Sequence, residues 1–389
     1  MCKLLKADRD VMTINNSDEL KDVIAFRTDH DKIFASRIRD LKLVRVRDGE
    51  TADEFNARTR SALPEAVVEE NKNGLFLDFQ TEIGGQIRHA VMPIRYTAMD
   101  SIYERARCNC FTISNEEETG DAGVMDIDEK IEFINKAFSL YSGTAQILFR
   151  DEKITSVMSG QYYYISLESL DEGIKALAED FPNMQFKEAT LSHEFFKESY
   201  SLKSDELEED ILLSLQEGGV SADKVDIVIN AHTCDHGKIA ATFYGQVVVD
   251  NTKLLFGSPE SVKHSGKKSC ELVKAAAKNL YSSFKDNQEK IKNLPKVSIN
   301  YPDGCLRMMA KEYRLPKKIA CELADTLVGK TGTTAYEIYW MLNKIVLIAE
   351  ERGLDALRVM TLQDMVARTL NVDYKKFDKP FLWARGGEE

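Results

Sequence analysis

Between residues 145 and 251 the chain runs in short apolar segments broken by turn formers, and beyond residue 269 its apolar repeat lengthens to that of a helix. A period of two places successive side chains on opposite faces of a strand, whereas a period near 3.6 marks one face of a helix. This change of period is the strongest constraint on the fold. Residues 146–150 read as a strand, Asp151-Glu152-Lys153 as a turn and residues 154–158 as the hairpin partner. Residues 161–165 read as a third strand or a loop. Further strands are expected at 184–191, 195–202, 226–231, 239–243 and 246–251. Residues 166–180 predict a helix with Leu167, Leu170, Ile174 and Leu177 on one face. A long helix is expected over 269–294, followed by helices near 304–313, 316–328, 334–352 and 361–370. The expected class is α+β: a largely antiparallel sheet with packed helices, followed by a helical C-terminal region.

The first part of the chain mixes both signals. Asn16 or Ser17 can cap a helix, residues 41–47 alternate up to an Asp48-Gly49 turn, and two strands flank Gly84-Gly85. Pro295 and the Tyr301-Pro302-Asp303-Gly304 turn mark a boundary between sheet and helical tail. The resulting division is 1–144, 145–295 and 296–389. Such a chain, 43% hydrophobic and 30% charged, has an ordinary globular composition. Seven scattered cysteines, an odd number, do not form a secreted disulfide framework. The N-terminus lacks the apolar core of a signal peptide, and no apolar run reaches the length of a membrane span. The expectation is a cytoplasmic protein without membrane association.

Few residues carry an evident chemistry. His232-Thr233-Cys234-Asp235-His236 is the most suggestive cluster. In an extended segment His232, Cys234 and His236 share a face, and imidazole with thiolate suits zinc. The same segment also reads as a hydrogen-bonded polar turn. Gly329-Lys330-Thr331 lacks the glycine that a phosphate loop places five residues earlier, where Ala324 stands. The acid-rich stretch at 114–132 lacks the ligand spacing of an EF-hand and reads as a solvated loop. No nucleophile elbow, metalloprotease helix or kinase signature is present, and no catalytic residue is assigned.

Charge is more informative. The net charge of -12 argues against a uniformly basic nucleic-acid coat. Its distribution is uneven: residues 166–226 hold 16 acids and 5 lysines, whereas residues 253–296 hold 10 lysines and 4 acids. On one continuous helix Lys267, Lys274, Lys278, Lys285 and Lys292 would form a stripe about 40° wide. With Lys263, His264 and Lys268 they are candidate phosphate contacts, or they face water or the acidic stretch. Residues 308–323 have the rhythm of a helix-turn-helix, with Ala310 at the crossing, Leu315, Ala320 and Leu323 buried, and Lys317 and Lys318 opening the second helix. Arg314 stands where the turn glycine is usual. A plain pair of packed helices is the alternative.

Three short motifs resemble the domain of unknown function 932 family, the phage/plasmid-like proteins. They are residues 227–232 with Gly237, residues 247–252 ending in Asp250-Asn251-Thr252, and Val262-Lys263-His264-Ser265-Gly266. The family often has Cys where Asp250 stands. Residues 334–339 and Trp383 also fit, so the resemblance spans about 145–383. It implies a gene of phages, prophages and plasmids acting in a host cytoplasm; it supplies no activity. Asn251 and His264 match family positions. The expected function is a nucleic-acid-associated accessory protein of a mobile element, in single-strand handling or recombination support, with DNA or RNA as partner. Two alternatives stand beside it: a metal-dependent enzyme at His232, Cys234 and His236, with zinc as cofactor, and a protein-interaction module such as a virion component or host-defence inhibitor. The opposed acidic and basic stretches would also suit a homo-oligomer.

Overall fold

A computed structural model describes residues 5, 7–8, 10–108, 126–235, 240–250, 252–264, 269–282, 284–354 and 356–380. In chain order the strands are β1 (Met12–Ile14), β2 (Lys32–Arg37), β3 (Lys42–Arg45), β4 (Leu75–Ile83), β5 (Gln86–Pro93), β6 (Thr144–Arg150), β7 (Lys153–Ser159), β8 (Gln185–Leu191), β9 (Phe195–Ser201), β10 (Val225–Cys234), β11 (Ala241–Val249) and β12 (Thr252–Val262). The helices of the first half are α1 (Ser17–His30), α2 (Ala52–Thr59), α3 (Glu65–Glu70), α4 (Met99–Arg105), α5 (Ile127–Ser139) and α6 (Leu167–Lys175). Those of the second half are α7 (Asp205–Glu217), α8 (Ser269–Ser282), α9 (Phe284–Asn293), α10 (Pro302–Glu312), α11 (Lys317–Asp325), α12 (Ala335–Glu351) and α13 (Ala356–Thr369). The class is α+β, with antiparallel sheets and a helical C-terminal region.

The main sheet has six antiparallel strands in the order β1-β8-β9-β10-β11-β12. Its central strand β10 is buried at all ten positions, because β9 and β11 pair on its edges and helices cover both faces. Two three-stranded sheets, β2-β6-β7 and β3-β4-β5, form a second layer system. The expected hairpins form for local reasons. Asp151 and Glu152 take φ of 48° and 67°, and Gly84 and Gly85 take 60° and 79°, matching the twist of two-residue hairpin turns. Asn16 caps α1 by accepting the Glu19 N–H, and Ser166 caps α6 by accepting that of Ser169. Leu167, Leu170, Ile174 and Leu177 are buried on one face, as the periodicity predicts.

Three of the expected elements take a different form. The strand after 225 continues through Cys234, so His232 and Cys234 lie in the sheet and not in a turn. The two strands expected at 239–251 are one, β11, with a register shift between Phe243 and Gly245. The long helix is two, α8 and α9. Near the break the Ser282 hydroxyl donates to the Asn279 carbonyl, a back-bond that weakens regular helix.

The cores group the chain by contact. One cluster joins Leu20 and Ile24 of α1, Leu170 of α6, Ile229 of β10 and Leu342 of α12. A second joins Leu43, Phe79, Ile102, Phe138 and Val157. The chain therefore enters the main sheet at β1, leaves to build the second core, and returns at Ile165. The boundary at 144/145 crosses β6, which pairs with β2. The helices beyond residue 296 share the core of the sheet. Among the described residues no helix is long and apolar enough to cross a membrane.

Candidate functional site

The end of β10 divides the suggestive cluster between two faces. His232 and Cys234 share one face and are fully buried. The His232 ring packs 5.5 Å from that of Tyr244, with Lys197 and Thr242 directly opposite in the sheet. Neither of its ring nitrogens has a hydrogen-bond partner among the described residues. Burial, reinforced by the charge of Lys197, pushes its pKa down to about 3, so the imidazole is neutral near pH 7. His236 lies outside the described residues. Among these no group of three or more His, Cys, Asp and Glu side chains is placed to hold a metal ion. The strand thus puts His232 and Cys234 on one face, as alternation requires, but against Tyr244 and, among the described residues, without a third ligand.

The other face carries Thr233 and Asp235, and here residues remote in sequence converge. Arg150 ends β6 and is 2% exposed. It donates to Asp31 Oδ2 at 2.8 Å through Nε, and through Nη1 to Asp235 Oδ2 at 2.6 Å and the His193 carbonyl at 2.7 Å. Its Nη2 donates to the Tyr164 hydroxyl at 3.0 Å. Beside it, Asp151 Oδ2 lies 2.8 Å from both Arg27 Nη1 and His193 Nδ1. Arg95 donates to Asp8 at 2.8 Å and to the Asp151 carbonyl at 3.1 Å. Burial opposes the charge on Arg150, but Asp31 and Asp235 outweigh it and its pKa stands well above the usual range. Burial raises that of Asp235 despite Arg150. For Asp151 burial is outweighed by His193 and Arg27, and the carboxyl is held below its ordinary value. This buried node ties α1, the β6–β7 turn, the β8–β9 turn and the end of β10 together.

His264, just past β12, caps this region. Its Nε2 lies 3.2 Å from Thr233 Oγ1 and its Nδ1 3.1 Å from the Tyr163 carbonyl. Its ring stacks on Tyr162 at 4.7 Å. The Tyr162 hydroxyl donates to the Cys234 carbonyl at 3.4 Å. His264 is therefore brought to the strand that carries His232 and Cys234, where it contacts the strand end. Asn251 and Trp383 lie outside the described residues. Sequence reasoning missed Arg150, Asp31 and Asp235, which are separated by 119 and 85 positions. Asp235 lay inside the flagged cluster, but nothing local identifies its partner.

The expected lysine stripe is largely an internal charge pairing. Lys274 Nζ lies 2.9 Å from Glu172, Lys278 3.7 Å from Glu179, and Lys292 3.1 Å from Asp210. The acids come from α6, the turn after it and α7, so the acidic stretch meets the basic one. Lys263 is exposed. Lys267 and Lys268 lie outside the described residues, as does the side chain of Lys285.

The α10–α11 pair matches its expected pattern closely. Ala310, Leu315, Ala320 and Leu323 are buried. Arg314 takes φ of 52°, the left-handed conformation for which glycine is usual. The Leu315 N–H donates to the Ala310 carbonyl at 2.8 Å, and that of Arg314 to Lys311 at 3.2 Å. These two bonds are those of a Schellman cap, which ends α10 and aims the chain into α11. Lys317 and Lys318 open α11 and are exposed, beside exposed Lys311, Glu312 and Arg314. At the other end of α11, Glu322 pairs with Arg352 at 2.5 Å and Asp325 pairs with Arg307. No family model, curated protein or solved structure matches this chain.

Proposed function

We propose that this chain is a nucleic-acid-associated accessory protein of a mobile element, and that it contacts nucleic acid through the turn joining α10 and α11. One observation carries the reading: a Schellman cap with Arg314 in the left-handed region presents Lys317 and Lys318 at the exposed start of a helix whose opposite face is buried. Lys311 and Arg314 add charge at the same tip, against Glu312. The acids farther along α11 are neutralised by Arg307 and Arg352, so the local field there is positive despite the net charge of -12. The resemblance to the phage/plasmid-like family supports the mobile-element setting by association. The paired Lys274 and Lys278 play a minor part in this reading, since a phosphate would have to displace Glu172 and Glu179.

The test is a titration against single- and double-stranded DNA and RNA at two salt concentrations. Binding should weaken steeply with salt, by about 0.9 in log–log slope per duplex phosphate contacted. Lys317→Glu with Lys318→Glu should lower affinity at least about tenfold and flatten that slope by about two. Lys274→Glu with Lys278→Glu should leave both nearly unchanged. Binding that ignores the Lys317 and Lys318 changes would overturn the assignment. Preference for a single strand over a duplex would select strand handling over groove recognition.

A further inference from the structure

An open groove of about 480 Å³ lies where the turn after α7, the β11–β12 turn and the start of α12 meet. Gly219, Asp250, Tyr336, Glu337 and Trp340 are among the residues that line it. Tyr336 and Trp340 are four apart on α12 and so share one face of the helix. Trp340 is half-buried, and its ring already attracts a cation: Lys344 Nζ, from outside the groove lining, lies 5.0 Å from the ring centroid. Tyr336 is 7% exposed, yet its hydroxyl reaches the groove and takes no hydrogen-bond partner among the described residues. The charged lining is two carboxylates, Asp250 and Glu337, and no cation. Glu337 is occupied, since Lys330 Nζ donates to it at 2.6 Å and the Thr333 hydroxyl donates as well. In the first turn of α12 it also offsets the positive end of that helix. Asp250 is exposed, and its left-handed φ of 53° places it in the β11–β12 turn. Its Oδ1 accepts the N–H groups of Asp223 at 2.9 Å and Lys224 at 3.0 Å, which fixes the carboxylate without neutralising it. Burial, with the charge of Asp250 added, pushes the Tyr336 phenol up to about 12, so the carboxylate and the phenol act on each other across the groove.

We propose that this groove binds a guanidinium group, the side chain of an arginine presented by a partner polypeptide, with its plane on Trp340 and its N–H groups donating to Asp250 Oδ2 and Tyr336 Oη. A guanidinium is flat, permanently charged and weakly hydrated, and its five donors form a fork that reaches two acceptors at once. An ammonium brings the charge without the flat face. An anion would meet Asp250 and Glu337. The groove uses no residue of the α10–α11 turn and does not depend on the nucleic-acid reading.

N-acetyl-arginine amide and N-acetyl-citrulline amide, equal in shape and different in charge, are the probes, titrated into the full chain while the tryptophan indole N–H signals are followed by NMR. The Trp340 signal, identified by its loss in Trp340→Phe, should move saturably with the arginine probe and respond at least about tenfold more weakly to the citrulline probe. Asp250→Asn tolerates the left-handed turn and keeps an acceptor for the two N–H groups, but removes the charge. It should weaken the arginine probe about fivefold and leave the citrulline probe unchanged. Tyr336→Phe keeps the ring and should weaken the arginine probe about threefold. Free arginine, whose own carboxylate is repelled by Asp250 and Glu337, should bind more weakly than the capped probe; the reverse order would overturn a partner's side chain as the ligand. No saturable movement of the Trp340 signal, equal binding of the two capped probes, or an Asp250→Asn variant that binds the arginine probe normally would each overturn the proposal.

Discussion

His232 illustrates what one buried residue contributes. Its ring is in the protein interior against Tyr244, and its charged form is disfavoured by burial and by Lys197. The folded pKa is about 3 against an ordinary 6.5. Below pH 6.5 the unfolded chain takes up a proton that the folded chain refuses. The stability held above pH 6.5 is therefore lost as pH falls toward 3, at about 1.4 kcal/mol per pH unit. His232→Phe keeps an aromatic ring in place and removes the titration. Its unfolding free energy, measured with urea across this range, should fall less steeply with acid than that of the wild type; parallel curves would refute a neutral buried imidazole. At this scale the sequence was legible where the cause is local. Asn16, one of the two residues expected to do so, caps α1, and Leu315, Ala320 and Leu323 are buried where the helix-turn-helix rhythm puts them. The environment of His232 was not legible, because Lys197 and Tyr244 reach it only by strand pairing.

Elements were read well where periodicity is uninterrupted. They were misread where packing overrides it. No strand is read from the sequence at 253–261, whereas β12 runs through Pro259 because it is the sheet edge, where a missing N–H costs little. Gly173 is the converse case. Glycine within a helix costs about 1 kcal/mol relative to alanine, so propensity alone favours replacing it. In α6, however, a Cβ at Gly173 would come 2.5 Å from Val273 Cγ1 of α8 and 3.3 Å from Phe243 Cζ of β11. Gly173→Ala should therefore destabilise the chain by about 1–3 kcal/mol through overpacking, read as a lower urea midpoint. A raised midpoint would mean that α6 and α8 do not approach this closely. The Glu172–Lys274 and Glu179–Lys278 pairs between the same elements are exposed, and each contributes about 0–1 kcal/mol.

At the scale of the molecule, two cores are held together by the node around Arg150. One carboxylate partner belongs to α1 and another to the end of β10, while Arg150 itself ends a strand of the second core's sheet. Removing the cation leaves Asp31 and Asp235 buried without it, at a cost of about 3–5 kcal/mol. Arg150→Met should lower stability by that amount. It should also separate the unfolding transition seen by tryptophan fluorescence, whose two reporters Trp340 and Trp383 lie in the C-terminal region, from that seen by circular dichroism. Coincident transitions with wild-type stability would show that the node does not couple the cores. The amino-acid sequence by itself determined the class, the hairpin turns, the caps and the apolar helix faces, since these follow from interactions within a few residues. Only the tertiary structure decided that the lysines of α8 meet the acids of α6 and the turn after it, that β1 leaves the N-terminal region to join the main sheet, and that Asp31, Arg150 and Asp235 share one buried site. Strand pairing and ion pairing are set by distance in space, and the chain order along which a sequence is read carries no record of it.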